Sequence, residues 1–205
     1  MKNNKKFIYL ISPNVINEYL FYKKLIKVFR TNKISHFQLR LKNTENRKII
    51  IIGKKLRKIC NHYKVKLVIN DNPKIAKIVN ADGCHLGQKD VSILKARKIL
   101  KNKIIGITCH NSLKLVKKAD NAGADYLAIG AFFKSHTKKV SHLAKISLIK
   151  KTKSITKLPV VVIGGLNEKN YSKLLLHKPK FLAISGYVWN NKNDKPDIAL
   201  KKIRI

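Results

Sequence analysis

Only ten acidic side chains stand against 46 lysines and arginines in this chain, and three of the ten, Asp71, Asp82 and Asp90, fall inside one twenty-residue window. Asp71 closes a predicted strand at 66–71, and Asp90 lies just past the next one, at 83–87. Two carboxylates at neighbouring strand ends can share a hard cation, and Mg²⁺ commonly takes one or two carboxylates together with waters and phosphate oxygens. The competing use is helix capping, since Asp71 precedes Asn72-Pro73, a good helix start. Asp82 and Asp125 sit in a small internal echo, Asn80-Ala81-Asp82-Gly83 and Gly123-Ala124-Asp125-Tyr126. Each falls where a helix turns into a strand, so both read as turn residues.

A second polar set lies on one predicted strand, Gln38-Leu39-Arg40-Leu41-Lys42. Alternation along a strand puts the three polar side chains on one face. Buried there without partners they would be costly, and an anionic ligand would supply one. Further on, Lys134-Ser135-His136-Thr137-Lys138 offers hydroxyls and amines for phosphate oxygens. Two strand ends, Gly164-Gly165 and Ser185-Gly186, carry small residues that let backbone N–H groups approach a phosphate. The residues therefore describe two anion pockets, one suited to a diphosphate and one to a monophosphate. Chemistry of this kind is electrostatic: a diphosphate leaving group is expelled by metal and basic side chains. Cys109 beside His110 does not make a nucleophile and base, because adjacent strand residues point to opposite faces.

The elements that must position these groups repeat along the chain. Short β-branched runs at 7–12, 34–42, 66–71, 83–87, 104–110, 126–132, 159–165 and 181–186 alternate with apolar residues at helical spacing, such as Tyr19, Tyr22, Leu25, Ile26 and Phe29. Leu113, Val116, Ala119 and Ala122 repeat the pattern after an Asn111-Ser112 cap, and Asn167 with Glu168 is read as the start of the seventh helix. Runs such as Val160–Ile163 are apolar throughout, as in parallel strands buried on both faces. Eight such units without a composition break predict a single-domain α/β (β/α)₈ TIM barrel of the phosphate-binding type over residues 1–205. The Gly-rich fingerprint of an open dinucleotide-binding sheet is missing; Ser12-Pro13-Asn14 stands in its place.

The formal charge of +36 raises the question of polyanion binding. Only six of the basic residues are arginine (Arg30, Arg40, Arg47, Arg57, Arg97 and Arg204), and the lysines are spread along the whole chain. A specific nucleic-acid reader would cluster its charge and use arginine for bidentate contacts. The expectation is small phosphorylated substrates, no specific nucleic acid and no membrane; a homo-oligomer is compatible with it. The three cysteines, Cys60, Cys84 and Cys109, lack metal-ligand spacing, and the apolar run at 7–11 is too short for a signal peptide, so a cytoplasmic location is expected.

Several of these stretches together resemble the thiamine phosphate synthase family: Gln38-Leu39-Arg40-Leu41-Lys42, Asn70-Asp71, Ala81-Asp82-Gly83-Cys84-His85-Leu86-Gly87-Gln88-Lys89-Asp90, Gly106-Ile107-Thr108, Gly123-Ala124-Asp125-Tyr126, Thr137-Lys138, Ile163-Gly164-Gly165 and Ile184-Ser185. The resemblance implies a transferase that joins a hydroxymethylpyrimidine diphosphate to a thiazole phosphate and releases pyrophosphate by a dissociative, Mg²⁺-assisted route. It implies that Asp71 and Asp90 hold Mg²⁺, and that Gln38, Arg40, Lys42, Asn70, Thr108 and Lys138 contact the pyrimidine diphosphate, with Arg40, Lys42 and Lys138 catalytic. Ser135, His136, Thr137, Gly165, Ile184 and Ser185 would hold the thiazole phosphate. Two positions depart from the family pattern: Lys134-Ser135 replaces a Pro-Thr pair, and Thr108 stands where many members have serine. A thiazole tautomerase of the same fold, with His110 near its characteristic histidine position, and a non-catalytic polyanion-binding protein are the alternatives. The tautomerases typically lack the metal carboxylates.

Overall fold

The structure is a computed structural model and describes residues 7–134 and 143–204. In chain order its elements are β1 (Ile8–Ile11), α1 (Glu18–Phe29), β2 (Ile34–Leu39), α2 (Asn46–His62), β3 (Lys66–Asn70), α3 (Pro73–Val79), β4 (Gly83–Leu86), α4 (Ile93–Leu100), β5 (Ile104–His110), α5 (Leu113–Asn121), β6 (Tyr126–Gly130), α6 (Ser147–Ile155), β7 (Val160–Ile163), α7 (Tyr171–Leu175), β8 (Phe181–Ile184), α8 (Gly186–Trp189) and α9 (Pro196–Lys201). Each strand pairs in parallel with the next, and β8 returns to β1, closing a TIM barrel.

Alternation along each strand separates two apolar regions. Ile8 and Leu10 face the helices in one large cluster, while Tyr9 and Ile11 point inward to meet Val68, Tyr126, Ala128, Val161 and Ala183 inside the barrel. Within α1 the buried stripe is Phe21, Leu25, Val28 and Phe29; Tyr19, expected to pack inward, is 73 % exposed. Leu25 and Phe29 are buried as expected and Tyr22 packs against the core, while Phe21 and Val28 complete the buried face that Tyr19 leaves. The seventh helix also begins later than expected. Asn167 and Glu168 lie in a turn, in which the Asn170 side chain accepts from the Asn167 N–H at 2.9 Å, and α7 starts at Tyr171.

The echoed aspartates tie helices to strands at the opposite end of the barrel from the strand C-termini. Asp82 accepts the Leu67 N–H at 2.7 Å and pairs with Arg57. Asp125 accepts the Ile105 N–H at 2.7 Å and pairs with Arg97 at 2.7 Å. The arginine in turn caps the carbonyls of Lys101, Lys103 and Gly123. Asp125→Ala would orphan a strand N–H and release this clamp, so a loss of about 1–3 kcal/mol is expected in urea denaturation. An unchanged unfolding midpoint would show that the clamp contributes nothing.

Candidate active site

The polar residues singled out in the sequence collect at the C-terminal ends of the strands, around a cavity of 1120 Å³. Gln38, Arg40, Asn70 and Thr108 line one side of it; Gly165, Ile184 and Ser185 line the other. Ser12 draws several of these strand ends together. Its buried hydroxyl accepts the Arg40 N–H at 2.9 Å, and its carbonyl accepts the Ser185 hydroxyl at 3.2 Å. Ser135, His136, Thr137 and Lys138 lie outside the described residues, so their placement is not part of this site.

Strand β2 ends at Leu39, three residues short of its expected limit. Gln38 alone of the three polar residues on this stretch is fully buried in the barrel. The Arg40 guanidinium donates to Asn14 Oδ1 at 2.7 Å, and Lys42 sits beyond the strand with its side chain 48 % exposed. A lysine buried in the barrel interior would need a fixed counter-charge; outside the strand it reaches one, Asp71, at 2.5 Å while remaining solvated.

Neither carboxylate of the candidate metal pair caps a helix. Asn72 caps α3 by accepting the Ile75 N–H at 3.1 Å, and Ser92 caps α4 by accepting from Lys95 at 3.3 Å. Asp71 adopts a left-handed φ of 66°, with its N–H bonded to the His85 carbonyl at 2.7 Å. Asp90 accepts the Gly87 N–H at 2.6 Å. Burial pushes the Asp90 carboxyl above its ordinary range; the Gly87 hydrogen bond opposes this, and the adjacent Asp71 side chain adds to the rise. The two carboxylates thus come together at the ends of β3 and β4 with Lys42 beside them. Among the described residues no group of three or more His, Cys, Asp or Glu could form a protein-only metal cage. A pair of hard oxygen donors under mutual repulsion is nevertheless the set that suits a cation completing its shell with water and phosphate oxygens.

Strand β7 is followed by two glycines with positive φ, Gly164 at 107° and Gly165 at 63°. A Cβ on Gly165 would collide with the backbone carbonyls of Lys134 and Phe133, so the chain leaving β6 lies directly on this turn. Phe133 donates its N–H to the Gly164 carbonyl at 3.1 Å, which fixes the start of the segment leading to Ser135.

The largest feature that the sequence did not disclose lies beneath the cavity. Gln38 Nε2 donates to the Tyr9 hydroxyl at 3.2 Å, Tyr9 meets the Tyr126 hydroxyl at 2.7 Å, and Tyr126 meets His85 Nδ1 at 2.8 Å. His85 Nε2 meets the Thr108 hydroxyl at 2.8 Å. Tyrosine in an apolar strand reads as core, and Tyr9 and Tyr126 are 117 residues apart, so only the closed barrel brings them together. Gly106 makes room for the Tyr126 ring, which would collide with any Cβ there.

Burial lowers His85 to about 4, with Arg40 adding to the fall and Asp71 opposing it. His36, stacked on Tyr9 at 5.4 Å, is likewise lowered to about 4 by burial and by Lys66, with Asp82 opposing. Both are neutral in the fold, whereas an unfolded histidine titrates near 6.5. A depressed pKa gives stability that is present above the unfolded value and is lost as pH falls toward the folded one. Each histidine is therefore expected to cost about 2 kcal/mol of stability at pH 5 relative to pH 7.5. Urea denaturation at the two pH values checks this; equal stabilities would show that the rings are not held neutral.

A family model described as thiamine monophosphate synthase matches residues 8–188. A thiamine-phosphate synthase of Pelagibacter ubique is 60 % identical over 203 residues, covering 99 % of this chain and 98 % of the relative. One from Clostridium acetobutylicum is 37 % identical over 177 residues, covering 85 % and 83 %. Among solved structures, a thiamine phosphate pyrophosphorylase from Pyrococcus furiosus superposes with a TM-score of 0.85 at 28 % identity, covering 98 % of this chain and 95 % of its own. A 3-hexulose-6-phosphate synthase from Salmonella typhimurium, at 14 % identity and a TM-score of 0.73 over 96 % of each chain, shares the fold.

Proposed function

Because the chain belongs to the thiamine monophosphate synthase family, we propose that its cavity joins 4-amino-2-methyl-5-hydroxymethylpyrimidine diphosphate to hydroxyethylthiazole phosphate, giving thiamine phosphate and pyrophosphate. The observation that carries this reading is the meeting of Asp71, Asp90 and Lys42 at the strand ends, next to a cavity lined by Arg40 and Asn70. Such a set has little use for a monophosphate alone; it suits a diphosphate whose negative charge grows as it leaves.

The paired carboxylates fit Mg²⁺, which when bound would neutralise diphosphate oxygens and so favour their departure. The protein side chains do the rest. Arg40, Lys42 and Lys138 stabilise the leaving charge, and Gln38, Asn70 and Thr108 orient the pyrimidine. The ring amine can then feed electrons toward the carbon that loses the diphosphate. Gly165, Ile184 and Ser185 on the opposite wall hold the thiazole phosphate so that its ring nitrogen faces that carbon, a role we also assign to Ser135, His136 and Thr137. Holding the two reactants in one cavity converts a bimolecular encounter into an oriented one. We place the enzyme in the cytoplasm, acting on small phosphorylated molecules through one barrel domain, with no specific nucleic acid or membrane partner. Among the described residues no helix is long and apolar enough to cross a membrane.

The thiazole tautomerase alternative rested on His110, at the end of β5. It gives way to relatives that match nearly the full chain and are thiamine-phosphate synthases. Pyrophosphate release measured with each substrate omitted in turn tests the proposal. Release that requires both substrates is expected. Release from the pyrimidine diphosphate alone at the same rate would indicate a hydrolase and overturn it.

A further inference from the structure

The buried chain from Gln38 to Thr108 carries more than packing. Each tyrosine hydroxyl has one proton to donate, and a neutral imidazole has one N–H and one bare nitrogen. With Gln38 Nε2 donating to Tyr9, the Tyr9 proton goes to Tyr126, its other partner among the described residues. Tyr126 then donates to Nδ1 of His85, which carries its own proton on Nε2 and donates it to Thr108. The Thr108 proton is left for the cavity, which Thr108 and Gln38 both line, and the amide oxygen of Gln38 remains as an acceptor. Turning the amide over reverses every bond: Thr108 donates inward, and Gln38 offers N–H groups. If Gln38 and Thr108 both donated inward, two protons would face each other across one link, and if both donated to the cavity one link would have no proton, among groups that are almost wholly buried, Tyr9 at 2 % exposure, Tyr126 at 5 % and His85 at 8 %.

We propose that Tyr9, Tyr126 and His85 are positioning residues whose hydrogen-bond chain couples the sense of Gln38 on β2 to that of Thr108 on β5, so that the two ends always present one donor and one acceptor. This rests on the proposed condensation, whose aminopyrimidine offers the complementary pair: an amine N–H and a bare ring nitrogen. A heterocycle with two donors or two acceptors on that edge forces the chain to break. The ring stack of Tyr126 on His85, 5.5 Å between centroids, holds the middle link in place. Gly106 and Tyr126 therefore belong to substrate recognition as well as to the core.

Coupling of this kind has a signature that packing lacks. Binding of the aminopyrimidine diphosphate is measured by calorimetry with Mg²⁺ present, on the whole protein and on Thr108→Val, Tyr126→Phe and the double variant. Tyr126→Phe keeps the ring and removes the link. Each single change is expected to weaken binding about tenfold. In the double variant Thr108→Val costs less than threefold more, and affinity for the thiazole phosphate stays within twofold throughout. Losses that multiply independently, or a Tyr126→Phe protein that binds as the parent does, would overturn the proposal. Should Tyr126→Phe not fold, Tyr9→Phe cuts the adjacent link with the same expectations. A parent protein that binds and condenses both substrates while the losses multiply sinks the coupling alone. A parent that neither binds the pyrimidine nor condenses it sinks the functional reading and the coupling together.

Discussion

Asp71→Asn is expected to lower turnover roughly 10²–10³-fold, the scale on which removal of one charge-stabilising group acts, while leaving the unfolding midpoint almost unchanged. Asparagine has the same shape and tolerates the left-handed φ of 66° at this position. Its N–H can still bond to the His85 carbonyl, and the cap of α3 is Asn72, which the change does not touch. What disappears is one of two facing carboxylates and the counter-charge of Lys42. Steady-state kinetics over a range of Mg²⁺ concentrations read the effect, and added metal should recover only part of the loss. A variant within fivefold of the parent would remove Asp71 from the metal pair.

Gly165→Ala is expected to act on the other substrate, raising the KM for the thiazole phosphate up to about 10²-fold, the penalty associated with a misplacement near 1 Å. The left-handed φ of 63° strains alanine, and the new Cβ meets the carbonyls of Phe133 and Lys134. These are backbone atoms that cannot swing aside, so either the β7 turn or the chain leaving β6 must shift. Both border the cavity on the side of Ile184 and Ser185. The KM for the pyrimidine diphosphate should remain within threefold, because Gln38, Asn70 and Thr108 lie on β2, β3 and β5. Equal rises in both KM values would mean that the substitution disturbs the whole barrel instead of one pocket.

The eight strands were legible because parallel strands buried on both faces leave uninterrupted β-branched runs, as at Val160–Ile163. The carboxylates were legible because acids are scarce here, so their spacing stands out against a lysine background. Strand ends were less so: Arg40 and Lys42 continue the alternation of Gln38 in sequence, yet hydrogen bonding of β2 stops at Leu39. Within α1 both Tyr19 and Phe21 are aromatic, and only packing in the closed barrel buries Phe21 and leaves Tyr19 exposed. The chain through Tyr9, Tyr126 and His85 was not legible as a chain, although His85 and Tyr126 fall in stretches that carry the family resemblance. Its members are ordinary strand residues until barrel closure brings their hydroxyls and ring nitrogens within 2.7–2.8 Å.

These side chains also bear on the meaning of the +36 charge. Several of the few acids are engaged in specific structural tasks: Asp82 and Asp125 clamp arginines to strand N–H groups, and Glu18 holds Lys55 and Tyr22. Many of the lysines are exposed, while Arg97 uses its planar fork to satisfy three carbonyls at once.

Product formation in the presence and absence of metal reaches the central claim most directly. Purified protein is given both substrates with Mg²⁺ and then with EDTA, and thiamine phosphate and pyrophosphate are quantified together. Equimolar formation of the two with Mg²⁺, abolished by EDTA and restored by fresh Mg²⁺, is the expected result. Thiamine phosphate formed at an undiminished rate in EDTA would contradict the role given to Asp71 and Asp90, and its absence under both conditions would contradict the function itself.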